Sequence, residues 1–209
     1  MKTRHRFLAL AAAVALLPGC AFTPAQLEVT PHAATQVAGP LKDVGPVEFR
    51  AAQLEDARQD KLRIGYKKNG FGHNTADITT SEPVDQIVEK TIAKAIVDSG
   101  HTVGDDGTLQ IVGTVDRFWF DTDLNFWTIT FIGEVACTLD FIDARTKQSV
   151  YKSRYAGSYV VDKAAGFEKT WTEVMAMALD KLIEDITLDE DMADALKAHI
   201  AAKGNTTRP

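Results

Sequence analysis

The stretch FWTITFIGEVACTLDFI, residues 126–142, decides the fold, because apolar and polar side chains alternate along it. One parity is apolar, and the other is mainly polar. A strand of this kind has one buried face and one wet face, which is typical of antiparallel sheets that are covered on one side. The apolar parity comprises Trp127, Ile129, Phe131, Val135, Cys137, Leu139 and Phe141.

Two further strands flank this one. Residues 109–116 alternate in the same way before it, and residues 149–161 place three tyrosines in phase after it. The polar segments between them, residues 121–125 and 143–147, are short enough to be hairpin loops. The sequence therefore predicts three consecutive antiparallel strands.

Amphipathic helices accompany these strands. The first follows Ser81, a favourable N-cap residue, and ends at Gly100, a residue type that favours helix C-termini. The second covers residues 166–186, where apolar side chains recur at helical spacing. A short amphipathic helix follows at residues 188–202. The apolar stripe of the second helix comprises Phe167, Trp171, Val174, Met175, Ala178, Leu182 and Ile186.

The predicted fold class is α+β. Residues 47–49 and 62–66 also alternate, which is consistent with a strand, a polar excursion and a second strand. We expect an antiparallel sheet of about four strands in the order β-α-β-β-β-α. The two main helices pack on one face of this sheet, and the short C-terminal helix follows them. We expect a single domain over residues 47–204 and a disordered tail over residues 205–209.

The first 20 residues, MKTRHRFLALAAAVALLPGC, have the organisation of a signal peptide. Basic residues precede an apolar run, residues 7–17, that is too short for a membrane span of about 20 residues. The run ends in Leu17-Pro18-Gly19-Cys20, which resembles the lipobox of bacterial lipoproteins. The resemblance implies a signal peptide over residues 1–19, cleavage between Gly19 and Cys20, and a diacylglyceryl cysteine with acyl chains such as palmitate. The alternative is an ordinary secretory signal with an incidental cysteine.

A lipid on Cys20 is a membrane anchor. Each buried methylene contributes about 0.8 kcal/mol, so several acyl chains hold a protein firmly on a bilayer. Ala21 follows the cysteine, where an Asp would retain an enteric lipoprotein in the inner membrane. We therefore expect the outer membrane, with the domain facing the periplasm. Residues 20–46 are rich in Ala, Pro, Thr and Gly and predict a flexible tether after the lipidated cysteine.

Charge and cysteine content argue against several classes of partner. The net charge of −6 at pH 7 argues against nucleic acid and against a polybasic lipid-binding surface. With Cys20 lipidated, Cys137 has no second cysteine for a disulfide, so we expect it to be a small buried side chain. We expect no cofactor other than the covalent lipid.

The sequence predicts no catalytic residues and no metal site. Residues 121–125, DTDLN, begin like a calcium loop, but Phe126 and Ile132 occupy the positions where such a loop needs Gly and Glu. His73 lies in a loop without a second histidine at ligand spacing. We therefore expect a protein that is not an enzyme.

Several segments resemble the YajG-type lipoproteins of bacterial outer membranes. They are the Leu-Pro-Gly-Cys lipobox, LEVTP at 27–31, DSGHTV at 98–103, TLQIV at 108–112 and YKSRY at 151–155. The resemblance implies a lipid-anchored α+β domain facing the periplasm, and it supplies no catalytic residues. The order of elements is also similar to lipoproteins of lipopolysaccharide assembly and of lipid-trafficking ABC systems, although fold similarity alone does not transfer function.

The leading hypothesis is a non-enzymatic accessory or scaffold protein that binds an envelope protein or a lipid. The alternative is a carrier of lipid or glycolipid with a hydrophobic groove. The candidate interaction patch is formed by Phe118, Phe120 and Phe126, whose parity places them opposite the apolar face, near one hairpin tip. Exposed aromatic clusters of this kind mark interfaces. The alternative for these three side chains is burial under residues 21–80.

Overall fold

The structure, a computed structural model, describes residues 22–32 and 39–206, with side chains described up to residue 203. The expected signal peptide, the expected cleavage and lipidation site at Gly19 and Cys20, and residues 207–209 lie outside the described residues. In chain order the strands are β1 (Ala25–Leu27), β2 (Glu48–Phe49), β3 (Gln53–Asp56), β4 (Gly65–Lys68), β5 (Asn74–Thr80), β6 (Thr102–Val103), β7 (Leu109–Leu124), β8 (Ile129–Asp143) and β9 (Ser149–Lys163). The helices are a 3-10 helix (Pro40–Val44), α1 (Val84–Asp98), α2 (Glu168–Thr187) and α3 (Glu190–Thr206).

The three longest strands form an antiparallel meander. β7 pairs with β8 from Leu109 opposite Asp143 to Leu124 opposite Ile129, and β8 pairs with β9 in the same antiparallel sense. The other edge of β7 is bordered by three short strands, β2, β3 and β4, which all run parallel to it. β6 continues the sheet beyond β2, and β5 and then β1 continue it beyond β4.

This arrangement shows that the predicted fold class was wrong. The sheet has nine strands with both parallel and antiparallel pairs, and it is not a purely antiparallel sheet of about four strands. The described part of the chain has three α-helices, and the last of them, with 17 residues, is longer than the short C-terminal helix that was expected beside two main helices. Most of the additional strands have two to four residues, which is too short for a two-residue period to stand out. The longer β5 has the mostly polar sequence NTADITT.

A β-bulge in β7 decides which side chains enter the core. The pairing of β7 with β8 shifts between Val115 and Arg117, so Asp116 is an extra residue in β7. An extra residue reverses the alternation of the side chains that follow it. As a result Phe118 and Phe120 face the core and are fully buried, although they have the opposite parity to Val115.

The helices cover one face of the sheet. α2 lies over β8 and β9, and α1 packs beside α2 against β3, β6 and β7. Two glycines let α2 approach the sheet closely. A Cβ atom on Gly157 would stand 2.1 Å from the carbonyl oxygen of Ala178, and one on Gly133 would stand 2.8 Å from that of Val174. None of the helices in the described part of the chain is long and apolar enough to cross a membrane.

The C-terminal helix α3 is fixed near both of its ends. Asp189, just before its first residue, accepts hydrogen bonds from the hydroxyls of Tyr151 and Tyr155 at 3.0 and 2.8 Å. Near the other end, Lys203 Nζ lies 2.6 Å from the buried carboxylate of Asp143. Hydrogen bonds from Lys203 and from backbone N–H groups hold the pKa of Asp143 far below its usual value. The carboxylate is therefore ionised at neutral pH, and its ion pair with Lys203 joins α3 to the end of β8.

Parts of the segments assigned to the tether and the tail lie on the domain. β1 pairs with β5 and buries Ala25 and Leu27, and His32 contacts Asp180 of α2. The 3-10 helix packs against α3. At the other terminus, α3 includes residues 205–206. The domain is therefore larger than residues 47–204 in the structure.

Candidate functional site

The three phenylalanines of the predicted interaction patch do not share one surface. Phe118 and Phe120 are fully buried, whereas Phe126 is 88% exposed. The bulge in β7 accounts for this difference, because it turns the first two rings towards the helix layer. The ring of Phe120 packs against Phe131 and Trp171, with centroids 6.3 and 5.8 Å away. Two members of the predicted patch are thus core residues, and one remains at the surface.

Phe126 and its neighbour Trp127 form an exposed aromatic pair at the tip of the β7–β8 hairpin. Their rings meet edge to face with centroids 4.7 Å apart, and Trp127 is 82% exposed. The sequence assigned Trp127 to the core because it shares the parity of Ile129. It lies instead in the loop closed by the hydrogen bond from the Asn125 N–H to the Thr128 carbonyl, so the alternation begins only with Ile129.

Two more exposed aromatic side chains lie at the same end of the sheet. Phe71, 89% exposed, stands between Gly70 and Gly72 in the loop from β4 to β5, and this setting in the sequence is a signal for exposure. Phe167, 79% exposed, was predicted to be buried because it fits the helical stripe, but it precedes the first turn of α2. We call these four side chains, Phe71, Phe126, Trp127 and Phe167, the aromatic end.

The face of the sheet opposite the helices carries another aromatic group. Trp119 of β7 meets Tyr66 of β4 edge to face, with centroids 5.9 Å apart. Arg63 lies over the Tyr66 ring at 5.0 Å, and Arg117 lies over the Trp119 ring at 5.6 Å. Arg117 also forms an ion pair with Glu134 of β8 at 2.6 Å. Because a cation is attracted to the face of an aromatic ring, these side chains hold one another in place.

Apolar side chains extend this group across the sheet. Ile132 of β8 is half-buried and pairs with Val160 of β9, which is exposed. A surface hollow of about 280 Å³ adjoins Trp119 and includes Arg58 and Asp60 in its wall. We call Tyr66, Trp119, Ile132 and Val160, together with Arg63 and Arg117, the open-face patch. Sequence reasoning missed it because the bulge, which places Trp119 on this face, leaves no mark in the alternation.

Ion pairs stabilise the positive charge at one side of the open-face patch. Arg63 Nε donates a hydrogen bond to Asp60 Oδ2 at 2.5 Å, and Nη1 lies 3.4 Å from Asp77. The hydrogen bond from Arg63 lowers the pKa of Asp60 below its usual value, and the same contact raises the pKa of Arg63. Both groups therefore stay ionised at neutral pH.

Two buried titratable side chains, Cys137 and His101, pack inside the domain. Burial raises the pKa of the Cys137 thiol to about 12, so the thiol stays protonated and is a poor nucleophile. His101 packs edge-on against Phe49, and its Nε2 lies 2.9 Å from the Leu41 carbonyl oxygen. Burial lowers the pKa of His101, which keeps the ring neutral. Among the described residues, no group of three His, Cys, Asp or Glu side chains is placed to hold a metal ion.

Comparison with known proteins points to a lipoprotein family. A family model described as an uncharacterized lipoprotein matches residues 51–197, which span most of the domain. The matched residues include the strands that carry the open-face patch and all four side chains of the aromatic end. No curated protein matches the chain.

Several solved structures are similar to parts of this chain at low sequence identity. A protein of Xanthomonas campestris assigned to family DUF330 is 15% identical with a TM-score of 0.47, covering 87% of this chain and 98% of that one. The PelC dodecamer of Paraburkholderia phytofirmans is 9% identical with a TM-score of 0.40, covering 68% and 89%. A minor lipoprotein of Acinetobacter baumannii is 11% identical with a TM-score of 0.35, covering 75% and 93%. At these values the similarities carry no conclusion about function.

Proposed function

This chain belongs to the uncharacterized-lipoprotein family, and we propose that it is a non-enzymatic accessory or scaffold protein of the bacterial envelope. In this proposal a diacylglyceryl group on Cys20, formed with cleavage after Gly19, anchors the chain. The membrane is the outer membrane, and the domain faces the periplasm. The lipobox and the resemblance to YajG-type lipoproteins support these details.

The observation that carries the binding role is the open-face patch. The helices that the structure describes cover one face of the sheet, and the other face presents Trp119 and Tyr66 beside Arg63 and Arg117. Aromatic residues and Arg are enriched in the cores of protein interfaces and among the residues that dominate binding energy. A protein partner in the envelope is therefore the occupant that this surface fits best.

The alternative of a lipid carrier has less support. A carrier needs a groove that is lined mainly by apolar side chains. The cavities beside β3, Arg50, Trp119 and Pro31 each include charged side chains in their walls. The accessory role is therefore the function that we propose.

Crosslinking from the open-face patch tests this proposal. A photoreactive amino acid at position 119 of the full-length lipidated protein should capture one envelope protein when cells are irradiated. The matched control carries the same amino acid in place of Val97, an exposed residue of α1 on the helical side of the domain. We expect little or no capture there.

A second variant separates binding from damage to the fold. Arg117→Glu keeps the strand but reverses one charge of the patch, so it should reduce the crosslinked product while the protein stays folded. If positions 119 and 97 capture the same proteins in equal amounts, or neither captures any, the open-face patch is not a binding site and the accessory role loses its support.

A further inference from the structure

One row of residues across the sheet fixes the direction of the strands around the aromatic end. Phe120 of β7, Gly65 of β4, Ile78 of β5 and Ala25 of β1 lie side by side. From this row β7 and β4 run towards the aromatic end, whereas β5 and β1 run away from it. The chain therefore enters β1 from the aromatic end.

The exposed aromatic side chains project from three separate connections at this end. Phe126 and Trp127 occupy the β7–β8 hairpin, and Phe71 occupies the β4–β5 loop. Lys163, the last residue of β9, pairs with Ile129, the first residue of β8, so the segment that leads to Phe167 also starts here. Three connections that are distant in sequence thus present large aromatic rings at the same end of the strands.

The position of Cys20 brings the lipid to the same end. Cys20 precedes Ala25 by five residues, which span at most about 18 Å when fully extended. The hairpin tip begins four residues beyond Phe120, about 13 Å from the common row. The chain is therefore long enough for Cys20 to reach the level of the aromatic end, where its proposed lipid would hold the bilayer on the side of these rings.

The charges at this end do not oppose a phospholipid surface, although the whole chain has a net charge of −6. Asp121 pairs with Lys68 at 2.6 Å, and Glu168 pairs with Lys67 at 3.3 Å. Lys163 and Lys169 make no ion pair with any residue that the structure describes, and the same holds for two further carboxylates at this end, those of Asp123 and Asp162. Positive and negative side chains therefore balance here, so this end carries no net negative charge that anionic headgroups would repel.

We infer that the aromatic end lies in the headgroup region of the bilayer that holds the Cys20 lipid. Trp and other amphipathic or apolar rings favour this region of a membrane. The inference rests on the proposed anchor and adds an orientation to it. With the rings in the bilayer, the long strands stand upright on the membrane and the open-face patch faces sideways, towards neighbouring membrane proteins.

Tryptophan fluorescence tests the contact directly. The full-length lipidated protein is reconstituted into vesicles of phosphatidylethanolamine and phosphatidylglycerol that contain brominated phospholipid, a short-range quencher. Trp119→Phe with Trp171→Phe leaves Trp127 as the only tryptophan, and Trp127→Phe with Trp171→Phe leaves Trp119 as the matched control. We expect a blue shift and strong quenching of Trp127 in vesicles, and neither for Trp119.

A second measurement does not depend on the tryptophan replacements. Phe71→Cys and Leu62→Cys each introduce one thiol that an environment-sensitive dye can label, because Cys137 is fully buried. Leu62 is 82% exposed but lies outside the aromatic end, in the connection between β3 and β4. We expect the dye to move to an apolar environment in vesicles only when it is attached at position 71.

The outcomes separate the inference from the proposed anchor. If the protein floats with the vesicles but Trp127 and the dye at position 71 remain in water, the inference is wrong and the anchor stands. If the lipidated protein does not float, both are wrong. A blue shift that depends on protein concentration and not on lipid would assign the aromatic end to contact with a second copy and overturn the inference.

Discussion

His32 Nδ1 lies 2.5 Å from Asp180 Oδ2, and this contact ties the segment that follows the proposed anchor to helix α2. The backbone N–H of His32 donates a second hydrogen bond to the same carboxylate at 3.0 Å. On its other side the ring lies 3.3 Å from Glu173. Because the segment includes β1, these contacts also fix the end of the domain from which the chain continues towards Cys20.

The docking of this segment should depend on pH. The hydrogen bond with Asp180 raises the pKa of His32 above its usual value of 6.5, against a smaller opposing effect of burial. A raised pKa in the folded state stabilises docking fully below the unfolded pKa, and the contribution is lost as pH rises through the folded pKa. NMR titration should therefore give a His32 pKa above 6.5, and proteolysis within residues 22–32 should become faster towards alkaline pH.

Two variants serve as controls for this pH effect. Asp180→Asn should lower the pKa of His32, and His32→Gln should remove most of the pH dependence of proteolysis. A pKa at or below the usual value in the unaltered protein would show that the ion pair does not form in solution.

Two phenylalanines of the same stretch should respond very differently to truncation. Phe120→Ala removes a fully buried ring that packs on Phe131 and Trp171, so it should cost about 3–5 kcal/mol of the free energy of unfolding. Phe126→Ala removes an exposed ring and should change it by less than about 0.5 kcal/mol. Urea denaturation followed by circular dichroism measures both. Equal losses would contradict the placement of the bulge.

The bulge itself can be tested by deletion. Removing Asp116 restores simple alternation and leaves Phe118 opposite Val135 with its ring still towards the core, so we expect the deletion variant to keep a cooperative unfolding transition. Asp116→Ala keeps the extra residue and loses the hydrogen bonds from the Thr114 and Thr138 hydroxyls, each 2.7 Å, and the ion pair with Arg154 at 3.6 Å. This substitution should cost roughly 1–3 kcal/mol. A deletion variant without a cooperative transition, beside a substitution variant that keeps one, would show that β7 has no bulge at this point.

Close packing of α2 on the sheet gives another contrast. A Cβ atom on Gly157 would stand 2.1 Å from the Ala178 carbonyl oxygen and 2.4 Å from the Leu182 backbone nitrogen. Gly157→Ala must therefore push α2 away from the sheet, and we expect a loss of roughly 1–3 kcal/mol or more in the free energy of unfolding. Gly70→Ala, where nothing lies within 4 Å, should be nearly neutral. Thermal denaturation of the two variants checks this, and a neutral Gly157→Ala would refute the contact.

The parts of the fold that the sequence predicts are those with long periodic patterns. β8 has 15 residues and α1 has 15, which is enough for a two-residue or a helical period to be recognised. The buried Cys137 and the buried stripe of α2 from Val174 onward follow from the same patterns and are confirmed. Such elements can be recognised from the sequence because the same environment recurs every second residue in a strand and every three to four residues in a helix.

The remaining features depend on single residues or on distant partners. One extra residue at Asp116 exchanges the environments of Trp119 and Phe120, and nothing in the local composition marks it. β2 and β3 are held by parallel pairing with β7, which lies more than fifty residues further along the chain. The aromatic end depends on where loops begin, and loop boundaries are the least regular part of a sequence pattern.

The proposed envelope role and the proposed membrane orientation both depend on a lipid on Cys20. The most direct measurement is the mass of the N-terminal peptide of the full-length protein after extraction from bacterial membranes. We predict that residues 1–19 are absent and that the peptide begins at Cys20 with a diacylglyceryl group on its sulfur. An unmodified Cys20, or a mature chain that still contains residues 1–19, would contradict the account.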